Sequence, residues 1–222
     1  MTDISNMRKS FERNQTLDID SVPDDPFQFF DRWFNQARKT PEIAEPNGFV
    51  LSTANRHGRI RSRTVLLKFF DTSGFVFYTN YGSQKAKDIE ENQQVSVCFP
   101  WYHLERQVLI EGRVEKVSHA ESLKYFASRP RSSQIGAWVS EQSQVIASRA
   151  LLMDKVKQLT RHFVDKDVPL PKFWGGYRIR PQRFEFWQGQ PSRLHDRIQY
   201  TPCTDNNGDD NNPRWFRQRL AP

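Results

Sequence analysis

Apolar residues recur along this chain with two different periods, and each change of period marks a new element. Residues 1–22 carry no sustained period and read as a mobile arm ahead of a single domain at 23–222. Asp24-Asp25-Pro26 then supplies a helix start, with a carboxylate cap followed by proline at the first helical position. Phe27, Phe30, Phe34 and Ala37 place one apolar stripe on a helix that runs through residue 38. From residue 48 the period falls to two. Segments 48–54, 60–69, 74–79, 94–101 and 105–117 are rich in Val, Ile, Phe and Thr and are divided by turn signals such as Asn55-Arg56-His57-Gly58. In the last of them Val108, Ile110 and Val114 face one way while Glu111, Arg113 and Glu115 face the other, the pattern of a half-buried strand.

A short helix at 83–92 interrupts the strands, and the middle of the chain reads as helical at 119–128 and 144–163. In the longer of these, Val145, Leu152, Val156, Leu159 and Phe163 share one face. Strand patterns return at 174–180, 183–188, 195–201 and 214–220, with Thr204–Pro213 as a solvated loop. Many strands with little βαβ alternation predict a mainly β, α+β architecture: an antiparallel barrel with peripheral helices.

Composition narrows the function. Among 222 residues, 6 Trp and 17 Phe suit both a core and a site that stacks a planar ligand. Two cysteines, Cys98 and Cys203, are too few for a disulfide framework and suggest a reducing compartment. The opening MTDISNMRKSF lacks the apolar stretch of a signal peptide, and apolar runs such as VLLKFF are too short to span a bilayer. A cytoplasmic protein without membrane contact is the expectation. The net charge is +7, yet no block of five like charges appears. That favours a few convergent cations around a small phosphorylated ligand over the basic stripe that nucleic acid requires. The sequence holds no glycine-rich phosphate loop, no paired metal-ligand spacing and no GxSxG elbow, so side chains must do most of any phosphate holding and no metal is expected.

Three clusters carry candidate chemistry. Arg61, Arg63 and Lys68 lie in IRSRTVLLKFF, a segment otherwise suited to burial, where a charge must be paired or bind something; a surface strand is the alternative. Arg63 and Lys68 have opposite parity, so one regular strand would point them to opposite faces. Tyr125, Arg129 and Ser133 recur every four residues and could grip a phosphate dianion, although a capped helix end has similar spacing. In FEFWQGQPSRLHDR, Trp187 could wall a planar ring, Arg193 and Arg197 could hold anions, and His195 could move a proton or serve as a structural hydrogen-bonding residue.

At these clusters the chain resembles the pyridoxine/pyridoxamine 5′-phosphate oxidase family. The matching stretches, in order, are RTVLLK (63–68), FYTNYGSQKA (77–86), ERQVLIEG (105–112), SRPRSSQIGAWVSEQS (128–143), FWGGYRI (173–179), EFWQGQPSRLHDR (185–197) and RLAP (219–222). The resemblance implies a Greek-key split β-barrel that forms a homodimer with FMN at the subunit interface. It also implies oxidation of pyridoxine or pyridoxamine 5′-phosphate to the aldehyde, with dioxygen reduced to hydrogen peroxide. For FMN it implies Arg63, Thr64, Val65, Leu66, Leu67, Lys68, Tyr78, Thr79, Gln84, Lys85, Gln107, Gln142, Ser143, Trp187 and Arg197. For substrate it implies Lys68, Tyr125, Arg129, Ser133, Arg193, Leu194 and His195, covered by an arm at Arg8, Lys9, Ser10 and Phe11. Arg193 and His195 would stand nearest the chemistry. Two positions depart from the family pattern: Gln84 where an arginine is usual, and Phe11 where a tyrosine is usual. These departures keep a flavin-binding protein without turnover as one rival, and the positive charge keeps a nucleic-acid-binding barrel as another.

Overall fold

The computed structural model describes residues 1–7, 10–11, 16–203 and 214–222. The predicted loop at 204–213 and the predicted arm residues Arg8 and Lys9 lie outside the described residues. Helix α1 (Pro26–Arg38) opens the packed body, with the Asp25 carboxylate accepting from the Phe27 N–H at 2.9 Å and Pro26 at the first turn. Its buried face is wider than the predicted stripe, because Phe29 and Trp33 are also buried: Phe29 stacks on Phe186 with centroids 4.1 Å apart. The body also takes in the end of the segment read as an arm. Leu17 and Val22 are buried, the Leu17 N–H donates to Asp196, and the Pro23 carbonyl accepts from the Tyr200 hydroxyl.

The strands are β1 (Gly48–Ala54), β2 (Ile60–Leu66), β3 (Phe69–Asp71), β4 (Gly74–Asn80), β5 (Gln94–Trp101), β6 (Arg106–Lys116), β7 (Trp174–Gln188), β8 (Asp196–Pro202) and β9 (Trp215–Leu220). All neighbours run antiparallel in the order β2-β1-β5-β6-β7-β4-β3, with β8 on β7 and β9 on β8. The two ends of that path, β2 and β3, are consecutive in the chain and joined only by Leu67 and Lys68, so the sheet must curl back on itself. The Lys68 N–H donating to the Val76 carbonyl at 2.9 Å helps fasten that join. The Greek-key neighbours β1–β5 and β7–β4 complete a split barrel around Phe49, Leu51, Val97, Phe99, Val108, Ile110, Phe77, Phe184 and Phe186.

Two of the strand predictions change by more than a residue at either end. The segments at 174–180 and 183–188 are one strand, because a bulge opposite the Glu111–Gly112 step takes up Gln182 as an extra residue, and Pro181 stays paired with Gly112. Gly112 is required there, since a Cβ would stand 2.2 Å from the Arg180 carbonyl oxygen. The segment 60–69 is divided after Leu66, where the chain leaves β2 for β3.

The helices are α2 (Gln84–Glu91), α3 (His119–Ser128), α4 (Arg131–Val139) and α5 (Arg149–His162). A capping box between Ser118 and Glu121 starts α3. The helix expected from residue 144 begins instead at Arg149, where Ser148 caps it and accepts from the Leu151 N–H. Val145 therefore belongs to the preceding loop and is fully exposed. Phe126, Ile135, Val139, Phe163 and Trp174 form a second, smaller core under these helices. None of the described helices is long and apolar enough to cross a membrane.

Candidate active site

Between the barrel and the second core lies a cavity of about 930 Å³. Strand β2 contributes Arg63, Thr64, Val65 and Leu66, and the β2–β3 join contributes Lys68. The end of β2 at Leu66 resolves the parity conflict: Arg63 and Lys68 need not alternate along one strand, and both reach the cavity. Strand β4 adds Tyr78 and Thr79, the first turn of α2 adds Gln84 and Lys85, and the helical region adds Tyr125, Arg129, Ser133, Gln142 and Ser143. Leu67 points elsewhere. Its side chain is 4% exposed in the barrel core, while its backbone bonds Asn47.

One group of cations is braced by hydrogen bonds. Arg63 donates to the Leu51 carbonyl at 3.1 Å and the Thr53 hydroxyl at 2.8 Å, with its other terminal nitrogen 3.8 Å from Asp88. Asp88 is 1% exposed; it also accepts from Thr53 at 2.8 Å, from Gln84 at 3.0 Å and from Arg61 at 2.7 Å. Lys85 donates to Thr79 and Gln142, and the Gln84 N–H donates to Ser143, which has a left-handed backbone with φ 71°. Burial first, and the nearby Arg63 charge second, bring the Lys85 ammonium down from 10.5 to about 8. A site that pushes two cations together and buries them favours an anion that relieves both.

A second group rests on aromatic rings. Tyr78 and Tyr125 stack with centroids 4.0 Å apart, and Trp174 lies nearly parallel to both. The Arg129 guanidinium sits 4.7 Å from the Trp174 ring centroid. Its Nη1 is buried without a hydrogen-bond partner among the described residues. Burial lowers its affinity for a proton and raises Tyr78 to about 12, so Tyr78 remains a neutral donor. Such an orphaned guanidinium nitrogen calls for an acceptor that the chain does not supply.

The remaining predicted residues gather away from this cavity. Gln107, Trp187 and Arg197 are cross-strand neighbours on β6, β7 and β8. Trp187 and His195 have ring centroids 4.6 Å apart, and the Phe11 ring meets both edge-on at 5.5 Å; Ser10 beside it is exposed. Arg197 makes a two-pronged pair with Glu185, at 2.8 and 3.1 Å, and donates to the Ala221 carbonyl. The His195 Nδ1 accepts from the Gln190 N–H at 3.1 Å, and burial together with Arg193 lowers the imidazole's proton affinity. A neutral ring with its proton on Nε2 follows. Ser192 and Arg193 both adopt left-handed backbone, with φ 56° and 63°, and Leu194 is exposed. Two successive non-glycine residues held there mark a strained turn that presents Arg193.

Sequence reasoning missed Asn80, Ser140 and Trp174 in the cavity wall, and Asp88 behind it. The Asn80 amide donates to the Ser140 carbonyl at 2.9 Å and ties the 140–143 segment to β4. Among the described residues, no group of three or more His, Cys, Asp or Glu is placed to hold a metal ion.

Comparison with known proteins bears on this arrangement. Residues 37–163 match the family model described as pyridoxamine 5′-phosphate oxidase, and residues 174–222 match the pyridoxine 5′-phosphate oxidase C-terminal dimerisation region. A pyridoxine/pyridoxamine 5′-phosphate oxidase of Crocosphaera subtropica is 51% identical over 99% of this chain and 100% of its own. The pyridoxine-5′-phosphate oxidase of Dictyostelium discoideum is 47% identical over 99% of this chain and 93% of its own. The crystal structure of PhzG from Burkholderia lata, in complex with tetrahydrophenazine-1-carboxylic acid, superposes with a TM-score of 0.83 at 27% identity, covering 91% of this chain and 95% of that one. With both family regions matched and full-length relatives near half identical, this chain belongs to the pyridoxine/pyridoxamine 5′-phosphate oxidase family.

Proposed function

We propose that this protein oxidises pyridoxamine 5′-phosphate and pyridoxine 5′-phosphate to pyridoxal 5′-phosphate, using FMN and reducing dioxygen to hydrogen peroxide, as a cytoplasmic homodimer. The observation that carries this reading is that one cavity holds two separately braced cation groups, as a cofactor phosphate beside a substrate phosphate requires. The donor set fits FMN. Arg63, Lys85, Gln142 and Ser143 would hold its phosphate, Gln84 would border it, and Thr64, Val65, Leu66 and Lys68 with Tyr78 and Thr79 would follow the ribityl chain and ring. Lys68, Tyr125, Arg129 and Ser133 would hold the substrate phosphate.

Gln107, Trp187, Arg197, Arg193, Leu194 and His195 stand outside that cavity in one chain, so a two-fold partner is the economical source of them, and the matched dimerisation region includes the last five. Bound FMN supplies the two-electron acceptor and the route to dioxygen. The chain's task is then to hold the pyridine ring in reacting geometry, where positioning supplies much of the rate. Arg193, presented by its strained turn, would orient the substituent on the reacting carbon. His195, neutral with Nε2–H, would position the ring or move a proton, and the Ser10–Phe11 segment beside Trp187 would cover the site.

Purified full-length protein tests this directly. The expected result is a yellow protein whose heat-released ligand is FMN and which converts pyridoxamine 5′-phosphate to the aldehyde with peroxide formed in equal amount. A yellow protein that stays inert with both substrates would overturn the oxidase reading.

A further inference from the structure

Arg129 stands just beyond the end of α3 and ahead of Pro130, and how its charge is held there is a question of its own. Among the described residues, neither a hydrogen bond nor an ion pair reaches its side chain. Its contacts are to ring faces: Trp174 at 4.7 Å and Phe126 at 5.8 Å from guanidinium carbon to centroid. An acid partner would consume donors and cancel the charge. A ring face does neither, since its attraction comes from the quadrupole and leaves the N–H groups free.

Trp174 is built to be a fixed plate. It is 8% exposed and begins β7 opposite Asn80. Its ring lies within 13° of parallel to both Tyr78 and Tyr125, and Phe126 packs edge-on at 5.3 Å. Gly176 makes the stack possible, because a Cβ there would stand 2.8 Å from the Tyr78 ring. The indole therefore has little freedom, and the guanidinium above it inherits that restriction.

We propose that Trp174 is a positioning residue for phosphate recognition: its indole face holds the Arg129 guanidinium in place with its donors free for the oxygens of the substrate's phosphate. This rests on Arg129 as part of the substrate-phosphate grip. Substitution should weaken substrate binding and leave the chemical step and the cofactor in place.

The test uses the FMN-loaded full chain with Trp174→Leu, Trp174→Phe, Arg129→Ala and the Trp174→Leu/Arg129→Ala double variant. Steady-state kinetics with pyridoxamine 5′-phosphate are read beside calorimetric binding of pyridoxal 5′-phosphate and of phosphate-free pyridoxal. Trp174→Leu should raise KM about tenfold, with kcat changed less than about twofold, and Trp174→Phe should raise KM about threefold. The preference for pyridoxal 5′-phosphate over pyridoxal should fall by the same factors. In the Arg129→Ala background, Trp174→Leu should add less than about twofold, because the residue acts through Arg129. FMN content, read from the visible spectrum, should not change.

An unchanged phosphate preference in both Trp174 variants would overturn the proposal, as would an undiminished effect in the Arg129→Ala background. If Trp174→Leu does not fold, Trp174→Phe decides by the same ratio. Failure of the underlying readings looks different. A wild-type protein that binds pyridoxal and its phosphate equally removes the phosphate grip and this proposal together. A wild-type protein with the preference but no turnover removes only the oxidase reading, and the binding ratio still decides the role of Trp174.

Discussion

Arg63 and Arg129 line the same cavity, yet the protein holds them by opposite means. Arg63 is held by oxygen acceptors: a backbone carbonyl, a threonine hydroxyl and, less closely, a buried carboxylate. Arg129 is held by rings. Hydrogen bonds fix direction but use up donors and, through Asp88, part of the charge. Ring contacts fix where the guanidinium lies without a directed bond and keep every donor. The first arrangement suits a ligand that binds once and stays; the second suits one that must arrive, be gripped and leave. The proposed resident cofactor and exchanging substrate would make those two demands.

The sharpest way to break this comparison is to remove each arginine in turn. Arg63→Ala should raise the FMN dissociation constant about tenfold to a hundredfold, the loss expected for charge-assisted bonds, with little change in KM once FMN is saturating. Arg129→Ala should raise KM for pyridoxamine 5′-phosphate over the same range and leave FMN retention alone. Fluorescence titration of released FMN and steady-state kinetics measure both, and the crossed pattern would show the two groups to be assigned to the wrong ligands.

Next in size is Asp88→Asn. The carboxylate is the common acceptor for Arg61, Thr53 and Gln84, and Arg61 would lose its only ion-pair partner among the described residues. Because Arg61 keeps about a quarter of its side chain exposed, water repays part of the loss. The expected cost is about 2 kcal/mol, lowering the thermal midpoint of the protein without FMN by about 4–8 °C. Thermal melts followed by circular dichroism check it. A midpoint shift under about 1 °C would mean the hydrogen-bonded group is not braced by this carboxylate at all.

The pH dependence of FMN binding sharpens the same contrast. In the protein without FMN the Lys85 ammonium titrates at about 8, held down by burial and then by Arg63. A phosphate beside it favours the charged form. Below pH 8 Lys85 already carries its proton, so FMN affinity is independent of pH through this group. Above pH 8 binding must take a proton up, and affinity should fall toward tenfold per pH unit. Folding stability moves the other way. The unfolded chain, with Lys85 at its ordinary 10.5, holds more protons between 8 and 10.5, so burying this lysine imposes a penalty that is full below pH 8 and is relieved as pH rises through that window. The rise is expected only to about pH 10, where tyrosines such as Tyr78 begin to titrate in the unfolded chain. Lys85→Met should remove both trends.

The hydrogen-bonded group was easier to find from sequence than the ring-held one, for a physical reason. Cations in an apolar strand such as RTVLLK stand out because burial makes them costly, and the alternation of Val108, Ile110 and Val114 marks a strand just as clearly. The Asp25-Pro26 start of α1 carries its own cap chemistry. Asp88 left no such trace: in KAKDIEEN it looks like its exposed neighbours Glu90 and Glu91, and only the fold turns it inward. Helix α4 was missed because Ser132, Ser133 and Gly136 are weak helix formers and the buried residues Ile135 and Val139 make only one short i,i+4 pair. Trp174 looks like a core residue in sequence, and it is one; its second use depends on Arg129, 45 positions earlier in the chain, packing over its ring. Grouping Arg193 and His195 with the substrate came from resemblance alone, since one chain does not bring them to the cavity.

The smallest expected effect concerns Gln84, the position where the family pattern has arginine. Its side chain does not stand idle: Nε2 donates to Asp88 Oδ1 at 3.0 Å, the oxygen that Arg61 also holds at 2.7 Å. An arginine at this position would compete with Arg61 for the same buried carboxylate before it offered anything to a phosphate. The carboxylate already has its cation, and burial together with the neighbouring Arg63 charge already brings Lys85 down to about 8 at the proposed phosphate site. A third charge there would gain phosphate attraction and pay nearly the same in repulsion. Gln84→Arg should therefore change FMN affinity by less than about threefold, within the range of a rearranged partly exposed ion pair. The Arg61→Ala/Gln84→Arg double variant should recover most of the stability that Arg61→Ala alone loses, because the new guanidinium inherits the vacated carboxylate oxygen. If Gln84→Arg instead tightens FMN by tenfold or more, the charge at Asp88 is not satisfied from β2, and the bracing of Arg63 must be redrawn around position 84.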